Sequence, residues 1–156
     1  MQVRDVMTKN PSCCLTSETI EAPKAIMLSR NIGFLPVLDV KTGREVIGVI
    51  TDRDVLLRAS AKGGGRDRTL VAECMTRHPV CCDETDSVEY AAQRMEESQV
   101  RRLPVLDSKG QLSGVISIGD LIRHDALKAG QLRDLLSAVS AHSSLTLRAP
   151  EVLAAR

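Results

Sequence analysis

Val3-Arg4-Asp5-Val6-Met7-Thr8-Lys9-Asn10-Pro11-Ser12-Cys13-Cys14 returns as Val71-Ala72-Glu73-Cys74-Met75-Thr76-Arg77-His78-Pro79-Val80-Cys81-Cys82, an offset of 68 residues. At the same offset, Leu35-Pro36-Val37-Leu38-Asp39 falls on Leu103-Pro104-Val105-Leu106-Asp107. After a two-residue contraction, Gly48-Val49-Ile50-Thr51-Asp52-Arg53-Asp54 falls on Gly114-Val115-Ile116-Ser117-Ile118-Gly119-Asp120. Internal repetition constrains architecture more tightly than any single motif. Two copies of one small unit imply a pseudo-symmetric pair with a cleft between the halves. Function is to be sought in that cleft.

The chain has 156 residues, and each half is close to the size below which a domain struggles to bury a sufficient core. The halves are therefore expected to fold as one packed unit. Hydrophobic residues make up 43% and charged residues 26%, the balance of an ordinary globular chain. A formal net charge of +1 with dispersed basic residues argues against broad attraction to nucleic acid or an anionic membrane. Phe34 and Tyr90 are the only aromatic residues, which removes the stacking platform of a single-strand binder. No apolar run approaches the roughly 20 residues of a membrane span. The start, Met1-Gln2-Val3-Arg4-Asp5, is charged and reads as no secretory signal. Five cysteines, an odd number, imply free thiols and a reducing cytoplasm.

Each copy follows one order. A Met-Thr-x-x-Pro turn leads to a short extended segment, Ser12–Leu15 or Val80–Asp83. Thr16-Ser17-Glu18-Thr19 and Glu84-Thr85-Asp86-Ser87 supply helix-start chemistry. The helices that follow carry Ile20, Ala25, Ile26 and Met27 in one copy, and Val88, Ala91, Ala92 and Met95 in the other. Pro23 falls early enough for the first turn, where its missing N–H does little harm. Leu-Pro-Val-Leu-Asp is a short strand, a Gly-containing loop follows, and Val46–Ile50 or Leu112–Ile116 is the β-branched return strand. Asp54–Ala59 and Asp120–Asp125 open the second helices. The fold class is α+β, two β-α-β-β-α units at residues 1–59 and 70–125, with a Gly-rich linker at 60–69. Residues 126–156 form an appended helix, with Leu127, Leu132, Leu135, Leu136 and Val139 on one face, and a loosely held tail from Ser143.

The sharpest chemical feature is strand-Gly-h-h-[Ser/Thr]-x-x-Asp-helix, present twice, and two readings stand side by side. In the first, Thr51 with Asp54 and Ser117 with Asp120 are capping boxes that satisfy backbone N–H groups. In the second, the same helix start receives a phosphate and the carboxylate accepts bonds from ribose hydroxyls. Spacing alone does not choose between them.

Taken in order and in duplicate, Met-Thr-x-x-Pro, Leu-Pro-Val-Leu-Asp and Gly-Val-Ile-[Ser/Thr]-x-x-Asp resemble the cystathionine β-synthase (CBS) domain family over Val3–Asp125. The resemblance implies two units packed about a pseudo-twofold axis, adenine nucleotides or related adenosyl ligands in two clefts, and a homodimer. Magnesium is an optional companion of the nucleotide. A first site would take Thr51, Arg53 and Asp54 from copy one with Val80, Cys81, Val100, Arg101 and Arg102 from copy two. Asp54 would hold the ribose, Thr51 the α-phosphate, Val80–Cys81 the adenine edge, and the arginines the remaining phosphates. A second site would take Ser117 and Asp120 with Ser12, Cys13, Ile32, Gly33 and Phe34. There Gly33-Phe34 replaces Arg101-Arg102 and Ile118-Gly119 replaces Asp52-Arg53, so fewer cations and weaker nucleotide binding are expected.

Cys74, His78, Cys81 and Cys82 cluster in sequence, but adjacent cysteines do not give the usual two-ligand separation around one zinc ion. Within an extended pair, one thiol faces inward and the other outward. His78, His124 and His142 have no recognisable orienting acid, so no catalytic or metal site is expected. The expected function is a non-enzymatic, energy-sensing regulatory module. A dimerisation scaffold without a ligand is the alternative, and a Cys-based metal or redox responder a weaker third.

Overall fold

A computed structural model describes residues 1–61 and 68–141, with the side chains of 59–61 and 141 left undescribed. Most of the linker read at 60–69 and the whole tail from Ser143 lie outside the described residues. The first half runs α1 (Val3–Val6), β1 (Thr8–Lys9), β2 (Cys14–Leu15), α2 (Glu21–Arg30), β3 (Phe34–Leu38), β4 (Val46–Thr51) and α3 (Asp52–Ala61). The second half repeats it as α4 (Val71–Cys74), β5 (Thr76–Arg77), β6 (Cys82–Asp83), α5 (Val88–Glu97), β7 (Arg102–Leu106), β8 (Leu112–Ser117) and α6 (Ile118–Arg123). A final helix, α7, spans Ala129–Ala141.

The strands form two four-stranded sheets, ordered β2-β3-β4-β5 and β1-β8-β7-β6. Each sheet thus takes one edge strand from the other half. Thr8 and Lys9 pair antiparallel with Val115 and Gly114, while Thr76 and Arg77 pair with Val49 and Gly48. The Met-Thr segment, read above as a turn, is an exchanged strand. A two-residue strand has too few positions for any period, which is why alternation could not reveal it.

Core packing follows the exchange. Val3 and Val6 are buried with Val88, Met95, Leu103 and Ile116 of the second half. Val71, Cys74 and Met75 are buried with Ile20, Leu35, Val37 and Ile50 of the first. Main-chain bonds seat the crossing helices: the Val3 N–H donates to Asp86 O at 2.9 Å, and the Val71 N–H to Glu18 O at 2.8 Å. Each fully buried aliphatic side chain of this kind contributes about 1.5–3 kcal/mol relative to exposure. The two halves thus share their cores and pack as one body.

Helix starts differ between the copies. Ser87 caps α5, its hydroxyl accepting from the Tyr90 N–H at 3.1 Å. In the first copy, α2 begins at Glu21 with no side-chain cap, and Glu18 instead accepts from the Leu15 N–H at 2.7 Å. Helices α3 and α6 start directly after Thr51 and Ser117, two residues earlier than the acidic positions suggested. The hydroxyl residue is the cap and the aspartate the third helical residue.

Candidate functional site

Two clefts lie between the halves. The first, about 580 Å³, lies against the start of α3: Thr51, Asp52 and Arg53 line one side with Gly33 and Phe34. Thr76, His78, Pro79 and Val80 from behind β5, Ser98 through Arg102 from behind α5, and Val139 of α7 line the other. The second, about 670 Å³, lies against the start of α6, with Ser117, Asp120 and Arg123 facing Thr8 through Ser12 and Arg30 through Phe34. Both volumes fall within the range of small-molecule sites.

Chain geometry explains why these residues meet. Phe34 pairs in register with Thr51, and Arg102 with Ser117, so the start of each inner strand stands beside the helix cap of its own half. The Asp52 N–H donates to Gly33 O at 3.3 Å and the Ile118 N–H to Arg101 O at 3.1 Å, tying helix start to strand start. Gly33, Phe34 and Arg102 line both clefts. Phe34 and Arg102 occupy equivalent positions of the repeat, so the wall between the clefts joins an apolar ring from one half to a guanidinium from the other.

The capping reading describes the bonds at both helix starts. Thr51 N–H and Oγ1 donate to Asp54 Oδ2 at 2.9 and 2.8 Å, and the Asp54 N–H returns to Thr51 Oγ1 at 3.2 Å. Arg58 Nε lies 3.2 Å from Asp54 Oδ1. Ser117 N–H and Oγ donate to Asp120 Oδ2 at 2.9 and 2.6 Å, and Arg123 Nη1 donates to Asp120 Oδ1 at 2.8 Å.

Of the first-site residues, Thr51, Arg53, Val80, Val100, Arg101 and Arg102 are brought together. Asp54 and Cys81 are not among the lining residues. Asp54 is buried behind Thr51, its carboxylate turned back onto the cap. Cys81 lines a separate depression with Cys82, Asp83, Asp86 and Tyr90. Of the second-site residues, Ser12, Ile32, Gly33, Phe34, Ser117 and Asp120 line the second cleft, and Cys13 does not.

The expectation of a cation-poor second cleft is corrected. Lys9, Arg30, Arg102 and Arg123 line it, against Arg53, Arg101 and Arg102 in the first. Motif-by-motif comparison missed Lys9 and Arg30 because one arrives on the exchanged strand and the other at the end of α2. His78, Ser98, Gln99 and Val139 were missed in the first cleft, the last because α7 has no counterpart in the repeat.

Burial makes the thiols poor nucleophiles. Cys14 and Cys82 are pushed up to about 12 by desolvation, reinforced by Glu18 and Asp86 respectively. Cys81 is pushed up to about 11 by burial, which outweighs the opposing influence of Arg94. None of the five cysteines forms a disulfide. Among the described residues, no group of three or more His, Cys, Asp or Glu is placed to hold a metal ion, and no helix is long and apolar enough to cross a membrane.

Known proteins share this architecture. Hypoxic response protein 1 of Mycobacterium tuberculosis is 31% identical over 121 residues, 78% of this chain and 82% of its own length. A solved structure of hypoxic response protein I, with two coordinated zinc ions, is 29% identical with a TM-score of 0.71, over 80% of this chain and 98% of that one. CBSX2 in complex with AMP is 28% identical with a TM-score of 0.69, over 80% and 95% of the two chains. The CBS domain pair of protein MJ0100, bound to 5′-methylthioadenosine and S-adenosyl-L-methionine, is 25% identical with a TM-score of 0.69, over 80% and 99%. The CBS domain model matches twice, over residues 3–60 and 71–127, and its two copies are the two halves that exchange strands here. The chain belongs to the CBS domain family, as a tandem pair.

Proposed function

We propose that this CBS pair is a regulatory, non-catalytic module that binds an adenosyl ligand between its halves. An adenine nucleotide, AMP, ADP or ATP with or without Mg, is the first candidate, and a methylthio- or methionyl-adenosine the second. The observation that carries this reading is the first cleft, where Thr51 at the start of α3 faces Arg101 and Arg102 of the other half. A helix start and forked guanidinium donors suit phosphate, and the apolar part of the lining, with Phe34, Val80, Val100 and Val139, suits a base. Adenosyl ligands in CBSX2 and the MJ0100 pair support the same class. The ligand touches both halves, so it favours their closed packing to the extent that it binds that packing more tightly. We place the module in a reducing cytoplasm and infer that it works as a homodimer.

The test is a thermal-shift screen of AMP, ADP, ATP, NAD and S-adenosylmethionine against the whole chain. A ligand at 100 times its Kd adds about 2.7 kcal/mol, a midpoint rise of about 5–10 °C. Arg101→Ala with Arg102→Ala removes exposed side chains, so apo stability stays near wild type while binding weakens at least tenfold. No shift with any of the panel would replace the sensor reading with the scaffold.

A further inference from the structure

The family match ends at residue 127, yet the chain continues into α7, which packs along α5. Leu135 and Val139 are buried in the second half's core at 1% and 4% exposure. Leu132 packs against the same core. Val139 also lines the first cleft, in company with Val80 and Val100, whereas no residue of α7 lines the second. One side chain therefore belongs both to the packing of an appended helix and to the wall of the first cleft.

Building on the adenosyl reading above, we propose that α7 is a working wall of the first ligand site, with Val139 as a direct contact to the ligand's apolar part. Arg53, Arg101 and Arg102 suit the phosphate end of such a ligand, which leaves the valine-lined part for the base. Binding free energy is reciprocal between coupled sites. A ligand resting on Val139 holds α7 against α5, and α7 held there completes the ligand's surroundings. The second cleft stays outside this coupling, which makes the two sites differ in kind although the repeat makes them alike in outline.

The experiment uses the full chain and AMP as the probe, with calorimetry and amide hydrogen exchange. Val139→Ala weakens AMP binding about threefold to tenfold by removing two buried methyl groups from the contact. Leu136→Ala, on the exposed side of the same helix and away from the cleft, leaves affinity within twofold. Saturating AMP slows exchange of the α7 amides about tenfold in the wild type, and less in Val139→Ala. AMP bound equally well by wild type and Val139→Ala, with α7 exchange unchanged, overturns the inference and leaves the adenosyl reading standing. Absence of binding by wild type across the AMP, ADP, ATP, NAD and S-adenosylmethionine panel overturns that reading, and this inference with it, before any variant is made.

Discussion

Cys14 and Cys82 stand at equivalent places in the repeat, each the inward member of an adjacent pair and each buried. Cys13 and Cys81 are the outward members and are half-buried. Because burial penalises the thiolate, all four are raised from the ordinary 9.0, and at pH 8 the protonated form dominates. Alkylation by iodoacetamide at pH 8 is therefore expected to be slow in the native protein and to speed up on unfolding in urea. Fast native modification of Cys81 would mean that its surroundings are far wetter than described. Linkage gives the sign of the pH effect. Below pH 9 the thiols are protonated folded and unfolded, and their contribution is intact. As pH rises from 9 towards 12 the unfolded chain loses these protons first, so the contribution is lost. The urea midpoint should fall between pH 9 and 10.5, and fall less in Cys14→Ala with Cys82→Ala. Equal slopes in the two proteins would show that other groups carry the alkaline loss.

At the scale of elements, the exchanged strands explain why the Gly of each Gly-h-h-[Ser/Thr] motif is a glycine. A Cβ on Gly48 would lie 2.5 Å from Met75 Sδ and 3.0 Å from Thr76 O, and one on Gly114 would lie 2.5 Å from Met7 Sδ and 2.9 Å from Thr8 O. The Met-Thr motif of one half and the Gly motif of the other are two sides of one contact. Gly48→Ala is expected to destabilise by about 1–3 kcal/mol in urea unfolding, the cost of overpacking a tight junction. Met75→Ala makes room, so the double variant should lose less than the sum of the two single losses. Strict additivity would mean that the strand edge gives way without involving the methionine. The repeat made the inner strands, the paired helices and the helix starts at Thr51 and Ser117 legible, because long elements carry period and caps carry chemistry. It hid the exchange, since β1 and β5 are too short for a period and the motifs that meet lie in opposite halves. It also hid the cations of the second cleft, since Lys9 arrives by that exchange. Thr51 and the Arg101–Arg102 pair were legible in the first cleft. Asp54 and Cys81 do not line that cleft, although Asp120, capped in the same way as Asp54, does line the second.

At the scale of the molecule the two halves are not treated alike. Helix α7 covers α5 of the second half, while the α2–α3 face of the first half exposes Leu28 at 84%, Leu56 at 65% and Leu57 at 59%. The repeat places Glu96 opposite Leu28 and Arg123 opposite Leu57, whereas Leu56 has the apolar Ile122 as its counterpart. A groove of about 330 Å³ between α2 and α3 is lined by Ile20, Met27, Leu28, Ile32, Val55 and Leu56. Clustered apolar exposure of this kind marks an interface, and a self-complementary patch closes as a twofold dimer. If the proposed homodimer buries this face, Leu28→Glu with Leu56→Glu converts it to a monomer in sedimentation while the fold survives, since both side chains are exposed. The groove also reaches the two clefts: Asp52 lines it and the first cleft, and Asn31 and Ile32 line it and the second. Were both proposals right, ligand and dimer would be linked: saturating AMP would shift the dimer dissociation constant severalfold, and the monomeric variant would bind AMP with an affinity altered by the same factor. A wild-type chain that remains monomeric at about 100 μM excludes this arrangement. A dimer whose dissociation constant ignores AMP would separate assembly from ligand binding.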